Sequence, residues 1–217
     1  MLDICHIDEA GIAMTLPNAY TWSPVGQTLS VPFEANCGRR LNLIGGYFSH
    51  GPLAGHFEYE LYLSLPKSRA KKTKGQIVSL PDGVCKDEVG PIDGDRLVAF
   101  LWRLAGRPKV YSSDWKRVRP LYIWLDNYSV HTGQTINDAL PDLEAADVYL
   151  MYLPAYSPEL SEIEPIWNDV KYHEMSKRSF TDLLELRTEA KAALERKARK
   201  LMAARRQITT ELLRAAA

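Results

Sequence analysis

At 217 residues, with 46% hydrophobic and 25% charged positions, the chain has the balance of an ordinary globular domain and excludes a disordered or fibrous one. Lys plus Arg and Asp plus Glu both number 27, so no global positive field draws the chain to nucleic acid, and such affinity has to come from local patches. The three cysteines (Cys5, Cys37, Cys85) form no C-x-x-C pair, the N-terminus lacks a basic signal-peptide region, and no apolar run is long enough to span a bilayer, so a disulfide framework, a zinc site and a membrane protein are set aside in favour of a cytoplasmic one.

In chain order, the first half reads as β-rich. Leu2–Asp8 is a short apolar strand ending in acids, and Tyr20–Pro32 carries the turn signal Pro24-Val25-Gly26 of a hairpin. Arg40–Phe48 and Phe57–Leu65 read as further strands. Composition then shifts: Lys67, Arg69, Lys71, Lys72 and Lys74 crowd one stretch, and Pro81–Asp95 is rich in Pro, Gly and Asp, so 66–95 is expected to be an inserted loop or arm. The segment His56-Phe57-Glu58 lacks a following P-C-x-x-C and is no deaminase centre.

The second half alternates. Leu97, Phe100, Leu101 and Leu104 give Arg96–Leu104 a helical stripe, and Leu121–Leu125 is a continuous apolar strand of the doubly buried kind. A helix is expected over Gly133–Leu143, a strand over Val148–Leu153, and a helix from about Glu159–Ser161 to Ser176. A last helix runs from Phe180 or Thr181 to about Arg206, with Ala190, Leu194, Ala198 and Leu201 on one face and Arg196, Lys197, Arg199, Lys200, Arg205 and Arg206 elsewhere. Antiparallel strands followed by a β-α-β unit imply a mixed α/β sheet with helices packed on it.

Three acids stand out by position. Asp8 closes the first strand, Asp126 closes the buried strand, and Glu164 lies in the first turn of a helix after another strand. If the two strands are neighbours, their carboxyl ends bring Asp8 and Asp126 together, where open α/β sheets bind ligands. Clustered carboxylates repel, and such a cluster persists when a cation holds it; oxygen donors without His or Cys point to Mg²⁺ or Mn²⁺. Ser161-x-x-Glu164 also fits a helix capping box, in which Glu164 would do no chemistry.

The block Leu153–Lys171 (LPAYSPELSEIEPIWNDVK) closely resembles the Leu-Pro-x-Tyr-Ser-Pro-Glu-Leu-Asn-Pro-Ile-Glu block of mariner-superfamily DDE transposases, and more narrowly their bacterial insertion-sequence branch. Leu125–Gly133 (LDNYSVHTG) and His6–Gly11 (HIDEAG) resemble the surroundings of the family's second and first catalytic acids. The resemblance covers about Leu2 to Ser176, with Ser161 and Glu162 replacing the usual Asn-Pro.

The resemblance implies a ribonuclease H-like domain over 1–178 with a C-terminal helical extension over 179–217. It implies Asp8, Asp126 and Glu164 as catalytic metal ligands for two Mg²⁺ or Mn²⁺ ions, with Asn127 and His131 as active-site neighbours. The activity implied is cleavage at transposon ends and strand transfer into target DNA at TA dinucleotides, by a homodimer assembled on DNA. Lys171, Lys71, Lys72 and Lys74 are the expected DNA contacts. Relatives carry an N-terminal helix-turn-helix region, expected here as a separate or missing part. Rival readings are a remnant that binds DNA or a partner transposase without cutting, and a stand-alone metal nuclease.

Overall fold

The computed structural model describes residues 1–15, 24–27, 40–65, 79–155 and 157–215. Among these residues five strands form one mixed sheet in the order β3-β2-β1-β4-β5: β1 (Asp3–Ala13), β2 (Arg40–His50), β3 (Phe57–Ser64), β4 (Leu121–Leu125) and β5 (Val148–Tyr152). β1, β2 and β3 are antiparallel neighbours, whereas β4 and β5 run parallel to β1. Helices α1 (Gly94–Leu104) and α2 (Gln134–Ala145) cover one face; α3 (Glu164–Asp169) and α4 (Leu183–Ala215) cover the other.

Strand alternation assigns the two cores. Cys5, Ile7, Ile44, Phe48, Leu121, Ile123 and Leu125 face α1 and α2, while Ile12, Leu41 and Leu43 face α3 and α4. β2 is buried on both faces, as its apolar run RLNLIGGYF anticipates. Its tandem glycines let both helical layers approach. A Cβ on Gly45 would lie 2.6 Å from the Trp167 ring of α3, and one on Gly46 would lie 2.8 Å from Leu104 of α1.

β1 departs from expectation. It continues five residues past Asp8, so Asp8 sits inside the strand, not at its end. The acids do not stop it because β2 pairs with it as far as Ala13↔Arg40, whereas β4 accompanies it only from Asp3↔Leu121 to His6↔Trp124. At its start, buried Asp3 takes an ion pair of 2.8 Å from Arg117, which anchors the strand.

Pro81–Asp95 is not a free arm. Val84 and Val89 enter the core, Gly90 N–H donates to Leu63 O at 2.9 Å, and the Arg96 guanidinium holds the carbonyls of Asp87, Val89 and Pro91. Asp93 caps α1, its carboxylate accepting from Arg96 N–H at 3.0 Å, so the helix starts at Gly94.

The helix expected from Glu159–Ser161 to Ser176 is three pieces: a 3₁₀ turn over Pro158–Leu160, α3, and a π turn over Val170–Glu174. Pro165 explains the late start. It lacks an N–H and its ring clashes with a preceding turn, so it is tolerated only in a helix's first turn. α4 runs to Ala215 rather than stopping near Arg206. Its first half buries Leu183, Leu186, Ala190, Ala193 and Leu194, and three of its cations pair with acids of the preceding segment: Lys197 with Asp169 at 2.7 Å, Lys200 with Glu174 at 2.6 Å, and Arg196 with Glu174.

Of the expected hairpin at 20–32, only the turn at 24–27 is described, closed by Gln27 N–H to Pro24 O at 3.0 Å with Gly26 at φ 85°. Lys67, Arg69, Lys71, Lys72 and Lys74 lie outside the described residues, as do Cys37 and Tyr156. No helix among the described residues is long and apolar enough to cross a membrane.

Candidate active site

The sheet places the first two acids. His6↔Trp124 is the last rung between β1 and β4, and Asp8 and Asp126 each lie two residues beyond it. Alternation then gives both acids the same face. Ile7 and Leu125 point to α1 and α2, so Asp8 and Asp126 point to the α3 side. Glu164 is the first residue of α3 and comes to that face from above.

All three line one cleft of about 420 Å³, together with Asn127, Leu153, Pro154, Ala155, Ser157 and Ser161. Its floor is fixed by Leu153 N–H to Leu125 O at 2.9 Å and Asn127 Nδ2 to Leu153 O at 2.8 Å, which tie the ends of β4 and β5 together. The capping-box alternative for Glu164 does not form. Ile163 occupies the N-cap with no side-chain bond, and Glu164 N–H meets only the backbone carbonyl of Ser161 at 3.3 Å.

The position of α3 follows from Gly45. Gly45 pairs with Asp8 across the β1–β2 ladder, and Trp167 lies on it, edge-on to Phe57 with ring centroids 5.6 Å apart. The helix carrying Glu164 is thus seated over the strand residue next to Asp8. Lys171 falls one residue into the π turn and is half-buried.

Electrostatics mark the cleft. Burial pushes the Asp8 carboxyl up to about 7, and the negative charges of Glu9, Asp126 and Glu164 add to it, against a hydrogen bond from the Glu9 backbone. Among the described residues, no three His, Cys, Asp or Glu side chains converge tightly enough to hold an ion, so the carboxylates line the cleft without meeting at one point.

Glu9 was not singled out by sequence, although it is an acid beside an acid on a strand and so must face the other way. It reaches buried His131, whose Nε2 lies 3.0 and 3.1 Å from the two Glu9 oxygens. His131 Nδ1 lies 2.7 Å from Asp126 Oδ1 and 3.0 Å from the Asp126 carbonyl. Burial alone would lower this imidazole, but the hydrogen bond and charge of Glu9, with the carbonyl and carboxylate of Asp126, raise it to about 9. His6, also near the cleft, is lowered by burial and faces Glu162.

Residues 84–187 match the model described as the DDE superfamily endonuclease. That segment is similar to this family. The fold agrees with it: the Mos1 mariner paired-end complex with manganese superposes at TM-score 0.54 with 16% identity, covering 91% of this chain and 52% of that one. The Mos1 strand transfer complex gives 0.52 and the paired-end complex with magnesium 0.51, each at 16% identity, with 92% of this chain and 52% of the other covered. At such identity the likeness establishes the ribonuclease H-like fold, and the chain spans about half the length of these structures. No curated relative matches the sequence.

Proposed function

We propose that this chain is the catalytic part of a DNA transposase, which cuts transposon ends and joins them to target DNA with two divalent cations. The observation that supports the reading is that Asp8, Asp126 and Glu164 line one cleft, brought there by β1, the loop after β4 and α3. Asp8 and Asp126 would hold the cations and Glu164 would complete the site. The donors fit Mg²⁺ or Mn²⁺. They are hard carboxylate oxygens, no thiol lines the cleft, and the two nearby buried imidazoles face other partners, His131 with its nitrogens on Glu9 and Asp126 and His6 against Glu162. Burial is the main cause that raises Asp8, and the smaller contribution from the charges of Asp126 and Glu164 is what a cation between these groups would relieve.

When bound, the cations supply a polarised attacking oxygen and charge neutralisation at the phosphate. The chain's own part is positioning. The sheet would align Asp8, hydrogen bonds just past β4 would hold Asp126, the seat of Trp167 on Gly45 would bring Glu164, and Leu153, Pro154 and Ala155 line one side of the cleft. The same proposal includes insertion at TA dinucleotides, a phosphate contact by Lys171, and action as a homodimer on DNA. Mos1, a structural neighbour, is described in paired-end and strand transfer complexes.

The test supplies a labelled duplex with a pre-cut 3′-hydroxyl end and a supercoiled target plasmid, with Mn²⁺ or Mg²⁺. Metal-dependent joined products are expected, and Asp126→Ala should lower them on the order of 10³-fold, about 4 kcal/mol of transition-state stabilisation. Nicking without joining would make the chain a stand-alone nuclease. A folded protein that binds DNA and gives no product would be a remnant.

A further inference from the structure

Asp126 stands on a loop just past β4 with its side chain 59% exposed, so packing does not fix its rotamer. Hydrogen bonds do. Its Oδ1 lies 2.7 Å from His131 Nδ1 and accepts the Tyr128 N–H at 2.9 Å, while its carbonyl lies 3.0 Å from the same ring nitrogen. Oδ1 therefore has two protein donors. Oδ2 has none among the described residues and is the oxygen left for the cleft.

The ring that directs Asp126 is itself held on every side. His131 is fully buried, its N–H donates to Tyr128 O at 2.9 Å, and its carbonyl accepts from the Tyr152 hydroxyl at 2.9 Å. Its far nitrogen, Nε2, sits nearly equidistant from both oxygens of Glu9, at 3.0 and 3.1 Å. Glu9 follows Asp8 on β1 and points to the opposite face. The chain Glu9–His131–Asp126 thus runs behind the cleft and links the strand carrying one acid to the loop carrying the other.

We infer that His131, anchored by Glu9, is a positioning residue that sets which oxygen of Asp126 is presented to a divalent cation. This rests on the reading of Asp126 as a metal ligand. A side chain that only filled space behind β4 would need neither a two-ended polar ring nor a carboxylate aimed at its far nitrogen. Partners that orient a ligating group in this way commonly control metal affinity 10–100-fold.

The experiment is a calorimetric Mn²⁺ titration of the whole chain, with thermal unfolding in the absence of metal run on the same samples. The unaltered chain should bind Mn²⁺ and Asp126→Ala should lose that binding; a chain that binds none overturns the reading of Asp126 and this inference with it. With binding established, His131→Ala is expected to weaken Mn²⁺ affinity by roughly 10–100-fold. His131→Asn, whose amide N–H stands near the place of Nδ1, should recover part of the loss. Unchanged affinity in folded His131→Ala, or His131→Asn binding no better than His131→Ala, overturns the positioning role and leaves the metal site intact. Should His131→Ala fail to fold, Glu9→Gln carries the test, because it keeps the size and an acceptor oxygen. Weaker Mn²⁺ binding at an unchanged melting temperature supports the inference, and unchanged binding overturns it.

Discussion

The two sides of the cleft are built by different means. Asp8 is placed by strand register, on a ladder with β2 in which a one-residue slip would send it to the other face, and Asp126 stands just past β4, where His131 and the Tyr128 N–H hold its carboxylate. Glu164 is placed by packing, on a helix of six residues set between a 3₁₀ turn and a π turn. The first kind of placement tolerates changes in side-chain size nearby. The second depends on one large ring meeting one bare backbone position, Trp167 on Gly45. The sheet and the loop after β4 supply one pair, and the segment above them supplies a third group whose position can be lost without unfolding the sheet.

The largest test of this contrast removes the ring. Trp167 is 4% exposed, and its indole N–H has no partner among the described residues, so shape rather than hydrogen bonding holds it. Trp167→Ala is expected to cost about 3–5 kcal/mol in denaturant unfolding. Product formation should fall as well, by more than the unfolded fraction accounts for. Activity tracking the folded fraction alone would show that Glu164 does not depend on this seat. A smaller change approaches the same contact from the sheet. Gly45→Ala puts a methyl 2.6 Å from the Trp167 ring and should cost about 1–3 kcal/mol by overpacking. Gly45→Ala combined with Trp167→Leu should recover part of that loss, because the smaller side chain makes room. Additive losses in the double variant would mean the two positions do not share one contact.

Much of this architecture was legible in the sequence, for reasons that also mark where legibility ends. Leu121–Leu125 and Val148–Tyr152 were visible as short apolar runs, but only one face of β4 is fully buried: Leu121, Ile123 and Leu125 join Val148 in the core under α1 and α2, whereas Tyr122, Trp124 and Tyr149 are half-buried. Asp8 and Asp126 stood out as acids at the edge of such runs. The length of β1 was not visible, since its second half is held by one neighbour instead of two and carries Asp8, Glu9 and Gly11, residues that read as a strand end. Pro165 held the information that α3 starts late. A capping box at Ser161 and Glu164 competed with it, and the proline's missing N–H prevailed. The π turn at 170–174 has no local signal in the residues that form it. Glu9 was within reach of alternation alone, but its partner His131 is 122 positions away and only the fold reveals it.

The smallest expected effect serves as the control for the whole comparison. Asp93 caps α1 on the face of the sheet away from the cleft, through one bond of 3.0 Å to Arg96 N–H. Asp93→Ala should cost about 1 kcal/mol in denaturant unfolding, the usual loss for an N-cap carboxylate. The sheet transmits little of that change, because Leu104 of α1 packs against Gly46 on one face while Asp8, Asp126 and Glu164 line the cleft on the other. Metal-dependent product formation per folded molecule should therefore equal that of the unaltered chain. If it falls as far as in Gly45→Ala, the two faces are coupled through the tandem glycines, and the division between a register-built side and a packing-built side would not stand.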